Sequence, residues 1–186
     1  MNTLDMPNAP LLDPAALAQL QRRMHGELLT PDQEAYAVAL RAHTERYNPR
    51  PALIARCLTV HDVVLAIIFA RERKLALATR AGDQCEGAIL LDLSPMRQIS
   101  IDPLQRIARV QPGASPAEFA RATAAYGLAG GTVLALEIAT AEGVIVTASA
   151  HQHPELFQAV FAGGNTGVVT ATTCQLRPLD ADQSLT

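Results

Sequence analysis

Three glycine-rich stretches are where this sequence could do chemistry, because glycine loops can aim several backbone N–H groups at one phosphate. They are residues 82–87, Gly130-Gly131 and residues 163–167. The first has the two-glycine spacing of a P-loop in Gly82 and Gly87, but Ala88 and Ile89 stand where that loop needs Lys and then Ser or Thr. The nucleoside triphosphate reading fails there. None of the three gives G-x-G-x-x-G, so a Rossmann dinucleotide fold has no support. Taken locally, Gly130-Gly131 and Gly163-Gly164-Asn165-Thr166-Gly167 read first as tight turns.

Other chemistries fare worse. His151 and His153 could be two metal ligands, yet no neighbouring Cys or carboxylate completes a site. His25, His43 and His61 lie among surface charges. No G-x-S-x-G elbow marks a serine hydrolase, and the carboxylates show no acid/base pairing. Cys85 sits between Asp83 and Glu86, whose charges oppose a thiolate nucleophile.

The elements that must position these loops can be read from the pattern. Residues 1–13 form a loose leader. Asp13 and Pro14 suit N-cap and N1 of a helix reaching Met24, with Gly26 as its stop, and a second helix runs from about Pro31 to Tyr47. Ala52 to Cys57 reads as a buried strand. Thr59 and Asp62 can then cap a helix from Val60 to Lys74 that is apolar on most sides and must be buried against a sheet. Ala76–Thr79, Ile89–Leu93, Gln98–Asp102 and Arg106–Val110 are strand-like. Ser115-Pro116-Ala117-Glu118 is a capping box, and Gly127 stops the helix it opens. Leu134–Thr140 and Val144–Thr147 read as a hairpin. A short helix over Pro154–Phe161 is expected to bury Leu156, Phe157, Val160 and Phe161, and Val168–Leu176 is the last strand. The sum is an α+β fold, mixed sheets with packed helices. Residues 1–29 are expected as leader and N-terminal helix, 30–179 as the functional domain and 180–186 as a polar tail.

Composition sets the outer limits. At 186 residues, 49% hydrophobic and 18% charged, the chain has room for one core and is not a disordered sequence. With 15 basic and 18 acidic residues it has no cationic stripe for nucleic acid. The longest apolar run, Val63 to Ala70, is far below the roughly 20 residues of a membrane span. The first twenty residues contain no Lys or Arg, so they lack the charged start of a secretory signal, and a cytoplasmic location is expected. Cys57, Cys85 and Cys174 fit reduced thiols.

In order along the chain, these segments resemble the FAD-binding domain of the vanillyl-alcohol oxidase and p-cresol methylhydroxylase superfamily of flavoproteins, especially its berberine-bridge-like oxidases. The resemblance runs from residues 48–57 through Val60 to Arg73, residues 77–82, 91–96 and 110–113. It continues through Tyr126-Gly127-Leu128, Gly130-Gly131-Thr132, Glu137 to Ser149, residues 154–157 and residues 163–170. It implies a p-cresol methylhydroxylase-type fold, FAD as cofactor, and Arg80, Ala81, Gly82, Asp83, Gln84, Gly130, Gly131, Gly164 and Val168 as cofactor contacts.

In the family, a loop written R-G-G-G-H wraps the FAD diphosphate, and its histidine often bonds to the flavin. Gln84 stands at that histidine, so the resemblance implies a non-covalent flavin. Asp83 replaces a glycine and brings negative charge toward the diphosphate. At an effective dielectric near 20 and about 4 Å, one like-charge contact costs on the order of 4 kcal/mol, against about 8 kcal/mol for micromolar binding. After Thr132 the sequence is shorter than the family pattern, and the family's substrate domain is not in this chain. Two functions therefore stand side by side. One is a flavin-binding module of an FAD-dependent oxidoreductase, inactive alone or completed by a partner chain. The other is a degenerate, non-catalytic interaction module that has lost flavin, with self-association favoured by exposed apolar sheet surface.

Overall fold

A computed structural model of the chain describes residues 12–43, 50–79, 85–164 and 166–179. The chain divides into two compact units, residues 1–93 and 94–186.

The first unit holds helices α1 (Pro14–Arg23), α2 (Glu34–His43) and α3 (Val60–Glu72), and strands β1 (Glu27–Leu29), β2 (Leu53–Arg56), β3 (Leu77–Ala78) and β4 (Ile89–Asp92). The strand order is β1-β2-β4-β3, with β2 and β3 parallel to β4 and β1 antiparallel to β2. Continuous apolar runs explain the parallel centre. Leu53, Ile54 and Ala55 in β2 and Ile89, Leu90 and Leu91 in β4 are all fully buried, so both faces of the sheet need cover. On one side α2 lays Tyr36, Ala39 and Leu40 over Ile54 and Leu90. The Tyr36 hydroxyl donates to the Pro51 carbonyl at 2.7 Å, and burial pushes its pKa up to about 12. Helix α3 packs against β4, and α1 packs against α3.

The expected caps form. Asp13 accepts from the Ala15 amide with Pro14 in the first turn of α1, and Thr59 and Asp62 make a reciprocal capping box. Asp62, fully buried, also accepts from the amides of His25 at 2.7 Å and of Leu58 and Thr59 at 2.9 Å, pinning the end of α1 and the end of β2 to the start of α3. Gly26 is not the stop of α1, whose C-cap is Met24. It is a close approach, where any β-carbon would collide with the Arg56 carbonyl. β1, three residues long, pairs with β2 where the sequence pattern gave no strand, because so short a segment carries no readable alternation.

The second unit is a five-stranded antiparallel sheet, β5-β6-β9-β7-β8, with helices α4 (Pro116–Ala124) and α5 (Pro154–Phe161). Its strands are β5 (Ile99–Asp102), β6 (Ile107–Val110), β7 (Leu128–Ala139), β8 (Ile145–Ser149) and β9 (Val168–Pro178). α4 opens on the Ser115–Glu118 capping box, and Gly127 follows it at φ 67. Phe119 of α4 packs with Ala108, Leu128 and Leu176, and Leu156, Phe157 and Val160 of α5 pack with Leu136, Ile138 and Ala148. β7 begins six residues before the expected Leu134, running through Gly130-Gly131 with register shifts along its pairing with β9. The expected burial of α5 is corrected. No residue of α5 is fully buried, and Phe161 is 61% exposed, since a single sheet face covers only one side of so short a helix.

Candidate functional site

The residues expected to hold a cofactor fall into two groups. Arg80, Ala81, Gly82, Asp83 and Gln84 lie outside the described residues. Gly130, Gly131, Gly164 and Val168 are all in the second unit, but at different places.

Gly130 and Gly131 sit near the start of β7, opposite the end of β9. A β-carbon on Gly130 would stand 2.8 Å from the Phe119 ring, and one on Gly131 would stand 2.6 Å from the Gln175 carbonyl oxygen. The chain's own packing therefore uses the space these glycines leave. Gly164 and Val168 lie at the other end of the strand, where Val168 pairs with Ala139. The residues from Gly130 to Ala139 put roughly 30 Å of strand between the groups, so no single phosphate touches both.

At that second corner α5 ends in a tight turn. Gly163 has φ 77, and the amides of Gly163 and Gly164 return to the carbonyls of Val160 and Ala159. The Gly164 amide is taken by the Ala159 carbonyl at 2.8 Å, so Gly164 has no spare N–H for a phosphate, and its own carbonyl accepts from the Thr166 amide at 3.1 Å. Gly167, at φ 134, lies so close to β7 that a β-carbon would be 2.5 Å from the Ala139 oxygen. Two side chains missed by sequence reasoning stand here. The hydroxyls of Thr140 and Thr166 are buried and have no hydrogen-bond partner among the described residues. Such groups are rare because each forfeits its hydration without return. Nothing in the sequence marks them, since Thr140 reads as the last residue of a hairpin strand and Thr166 as part of a glycine loop.

A second missed feature lies on the sheet face away from α4 and α5. Alternation along the strands puts Arg109 and Glu137 there, because their neighbours Ala108, Leu136 and Ile138 face the helices. Arg109 Nη2 donates to both Glu137 carboxylate oxygens at 3.0 Å, and the Thr170 hydroxyl donates to Glu137 Oε1 at 2.7 Å. Only the strand pairing joins these residues, from three different strands. The Glu137 carboxylate already balances the Arg109 charge.

The remaining candidates separate. His153, at φ 50, heads α5 with its Nδ1 3.6 Å from Glu155, and no three His, Cys, Asp or Glu among the described residues converge to hold a metal. Cys57 is fully buried, and burial pushes its thiol far up, with Asp62 and Asp92 adding to the effect; burial also raises Cys174. No helix among the described residues is long and apolar enough to cross a membrane.

The corner at Thr140 and Thr166 thus holds two buried, uncharged hydroxyls without a partner among the described residues.

Comparison with known proteins supplies the family. The FAD binding domain family matches residues 51–162. The chain is 31% identical to (R)-6-hydroxynicotine oxidase of Paenarthrobacter nicotinovorans over 194 aligned positions, taking in 84% of this chain and 42% of that protein. The crystal structure of 6-hydroxy-D-nicotine oxidase from Arthrobacter nicotinovorans superposes with a TM-score of 0.76 at 29% identity, covering 83% of this chain and 43% of that one. The berberine-bridge-like protein 1 of Physcomitrella patens gives a TM-score of 0.78 at 20% identity over 87% of this chain and 44% of that one, a likeness of fold. The chain spans less than half the length of these relatives. With the family pattern covering most of the chain and the fold shared with these flavoproteins, the chain belongs to the FAD binding domain family, of the vanillyl-alcohol oxidase and p-cresol methylhydroxylase type.

Proposed function

We propose that this chain is the flavin-binding part of an FAD-linked oxidoreductase and that it holds FAD without a covalent bond. The observation that carries the reading is the FAD binding domain match across residues 51–162. The hydroxyls of Thr140 and Thr166, without a partner among the described residues, support it, because a bound dinucleotide has hydroxyls and ring nitrogens that suit them. When bound, the flavin supplies the electron and hydride acceptor. The chain's own work is to bind and orient it. Val168, with its side chain buried in the sheet, contributes through its backbone, and Gly167 keeps the turn against Ala139.

Non-covalent attachment rests on Gln84, since a carboxamide cannot form the bond that a histidine ring nitrogen makes. Asp83 puts a negative charge where the family's loop has a glycine, so the diphosphate is held less firmly than by the family's loop. Substrate selection and turnover fall to the part of the longer relatives that this chain does not span, and no described side chain is assigned a catalytic role.

The test is to incubate the chain with FAD, remove the excess, precipitate the protein with acid and measure flavin in both fractions. Flavin in the supernatant is expected. Flavin that stays with the precipitate overturns the non-covalent assignment. Flavin in neither fraction would leave the interaction-module reading.

A further inference from the structure

Strand β9 begins at the corner of Thr140 and Thr166, and next to that corner it carries a β-bulge. In its pairing with β7, Glu137 faces Ala171 and the following residue, Ile138, faces Val169. Thr170 is therefore the extra residue, with no partner on β7 in that register. A bulge bends its strand and increases the local twist, so it sets the course of the chain on either side. On one side the chain runs through Val168 and Gly167 to Thr166.

A residue outside the ladder needs another restraint, and Glu137 supplies it. Thr170 is fully buried, and both acceptors of its hydroxyl among the described residues belong to Glu137, the carbonyl at 3.3 Å and carboxylate Oε1 at 2.7 Å. The hydroxyl has a single hydrogen, and the closer, charged oxygen takes it. The carboxylate is itself aimed, because Arg109 Nη2 donates to both of its oxygens at 3.0 Å. Since β9 lies between β6 and β7, this ion pair spans about 10 Å across β9, beside the bulge. On the other side of the bulge there is no slack. A β-carbon on Gly167 would stand 2.5 Å from the Ala139 oxygen and 2.9 Å from Ile138 Cγ2, so a bulge that relaxes must carry Gly167 and Thr166 with it.

We propose that Glu137 is a positioning residue for this corner. Through the Thr170 hydroxyl it holds the β9 bulge, and the bulge sets where the Thr166 hydroxyl stands relative to that of Thr140. Thr170 is fully buried and out of a ligand's reach, so its part is carried by the backbone. Arg109 acts one step further back, by orienting the carboxylate. The consequence for cofactor binding rests on the flavin reading of the corner; the clamp on the bulge does not.

Two readouts on the full chain test this: amide hydrogen exchange without flavin, and titration with FAD. Thr170→Val removes the hydroxyl at nearly constant shape, Thr170→Ser restores it, and Glu137→Ala removes the clamp. In Thr170→Val and Glu137→Ala, exchange should quicken over residues 166–171 and stay at the wild-type rate over 173–176, and FAD should bind about tenfold more weakly. Thr170→Ser should match wild type in both. Glu118→Gln, which disturbs the α4 capping box in the same unit, controls for lost stability alone and should leave FAD affinity unchanged. Exchange that stays the same, or rises equally along all of β9, overturns the clamp. A local rise in exchange with unchanged FAD affinity, or an equal loss of affinity in Glu118→Gln, overturns its positioning role toward flavin. A wild-type chain that binds no FAD overturns the flavin reading, and the exchange data then decide the clamp by themselves.

Discussion

Replacing Asp62 should weaken the first unit more than any other single polar change among its described residues. Its carboxylate is fully buried and receives the amides of His25, Leu58 and Thr59 at 2.7–2.9 Å, from two places in the chain. Hydrogen bonds to a charged group contribute about 1.5–3 kcal/mol each, but these three share one carboxylate, so their losses do not add in full. We take about 1 kcal/mol per lost bond, so Asp62→Ala should cost about 3 kcal/mol. For a chain of this size that corresponds to a melting temperature about 6–12 °C lower. Asp62→Asn should cost nearly as much, because its amide NH2 must face at least one backbone N–H.

The pH dependence gives a second reading of the same group. Burial alone would raise the Asp62 pKa, but the amides of His25, Leu58 and Thr59, with the Thr59 hydroxyl, outweigh it and hold the carboxyl below its usual value. A depressed carboxyl contributes stability that is fully present above its unfolded pKa, near 3.9, and is lost as the pH falls through the folded value. The gap between wild type and Asp62→Ala should therefore be widest near neutral pH and narrow below about pH 4. Urea unfolding followed by circular dichroism at several pH values measures it. A loss under 1 kcal/mol at pH 7, or a gap unchanged at pH 2.5, would refute the claim that this carboxylate pins α1, β2 and α3.

Three further outcomes follow from single residues. Gly167→Ala meets both a positive φ and the Ala139 oxygen, and should lower stability by about 2–3 kcal/mol in urea unfolding; a loss below 0.5 kcal/mol would mean that the turn shifts freely. The Glu118 carboxyl is held down to about 2 by the Ser115 amide, the Ser115 hydroxyl and Arg97, so its stabilising effect is present above about pH 4.3 and lost toward pH 2; melting curves of Glu118→Gln should show a flatter dependence across that window than wild type. Asp83→Gly should tighten FAD binding by about tenfold or more, read by flavin fluorescence titration, and an unchanged affinity would show that the carboxylate does not face the diphosphate.

Local signals were legible in the sequence and non-local ones were not. The capping boxes at Thr59 and Ser115, the proline start of α1 and the stop at Gly127 depend on residues within a turn of each other, and each forms where the pattern puts it. The apolar runs of β2 and α3 likewise announced a buried strand and a helix packed against a sheet, though not that β2 and β4 pair in parallel. What stayed hidden depends on pairing. Gly26 looks like a helix stop until β2 is brought against it, and β1 is too short to show a period. Arg109, Glu137 and Thr170 meet only through the β6-β9-β7 register, and the lack of a partner for Thr140 and Thr166 among the described residues shows only in the folded corner. For the site, Gly163–Gly167 was visible as a turn, but Gly130-Gly131, which reads locally as a turn, lies inside β7, and only the strand length separates it from the corner at Gly164 and Val168.

The central claim is that this chain, although under half the length of its relatives, still binds FAD. Equilibrium dialysis of the purified chain against FAD, with bound flavin read from its visible absorbance, tests it most directly. The account predicts saturation at about one flavin per chain and an upward shift of the melting temperature, about 2.7 kcal/mol of added stability at a free FAD concentration a hundred times the dissociation constant. No retained flavin and no thermal shift at millimolar FAD would contradict it.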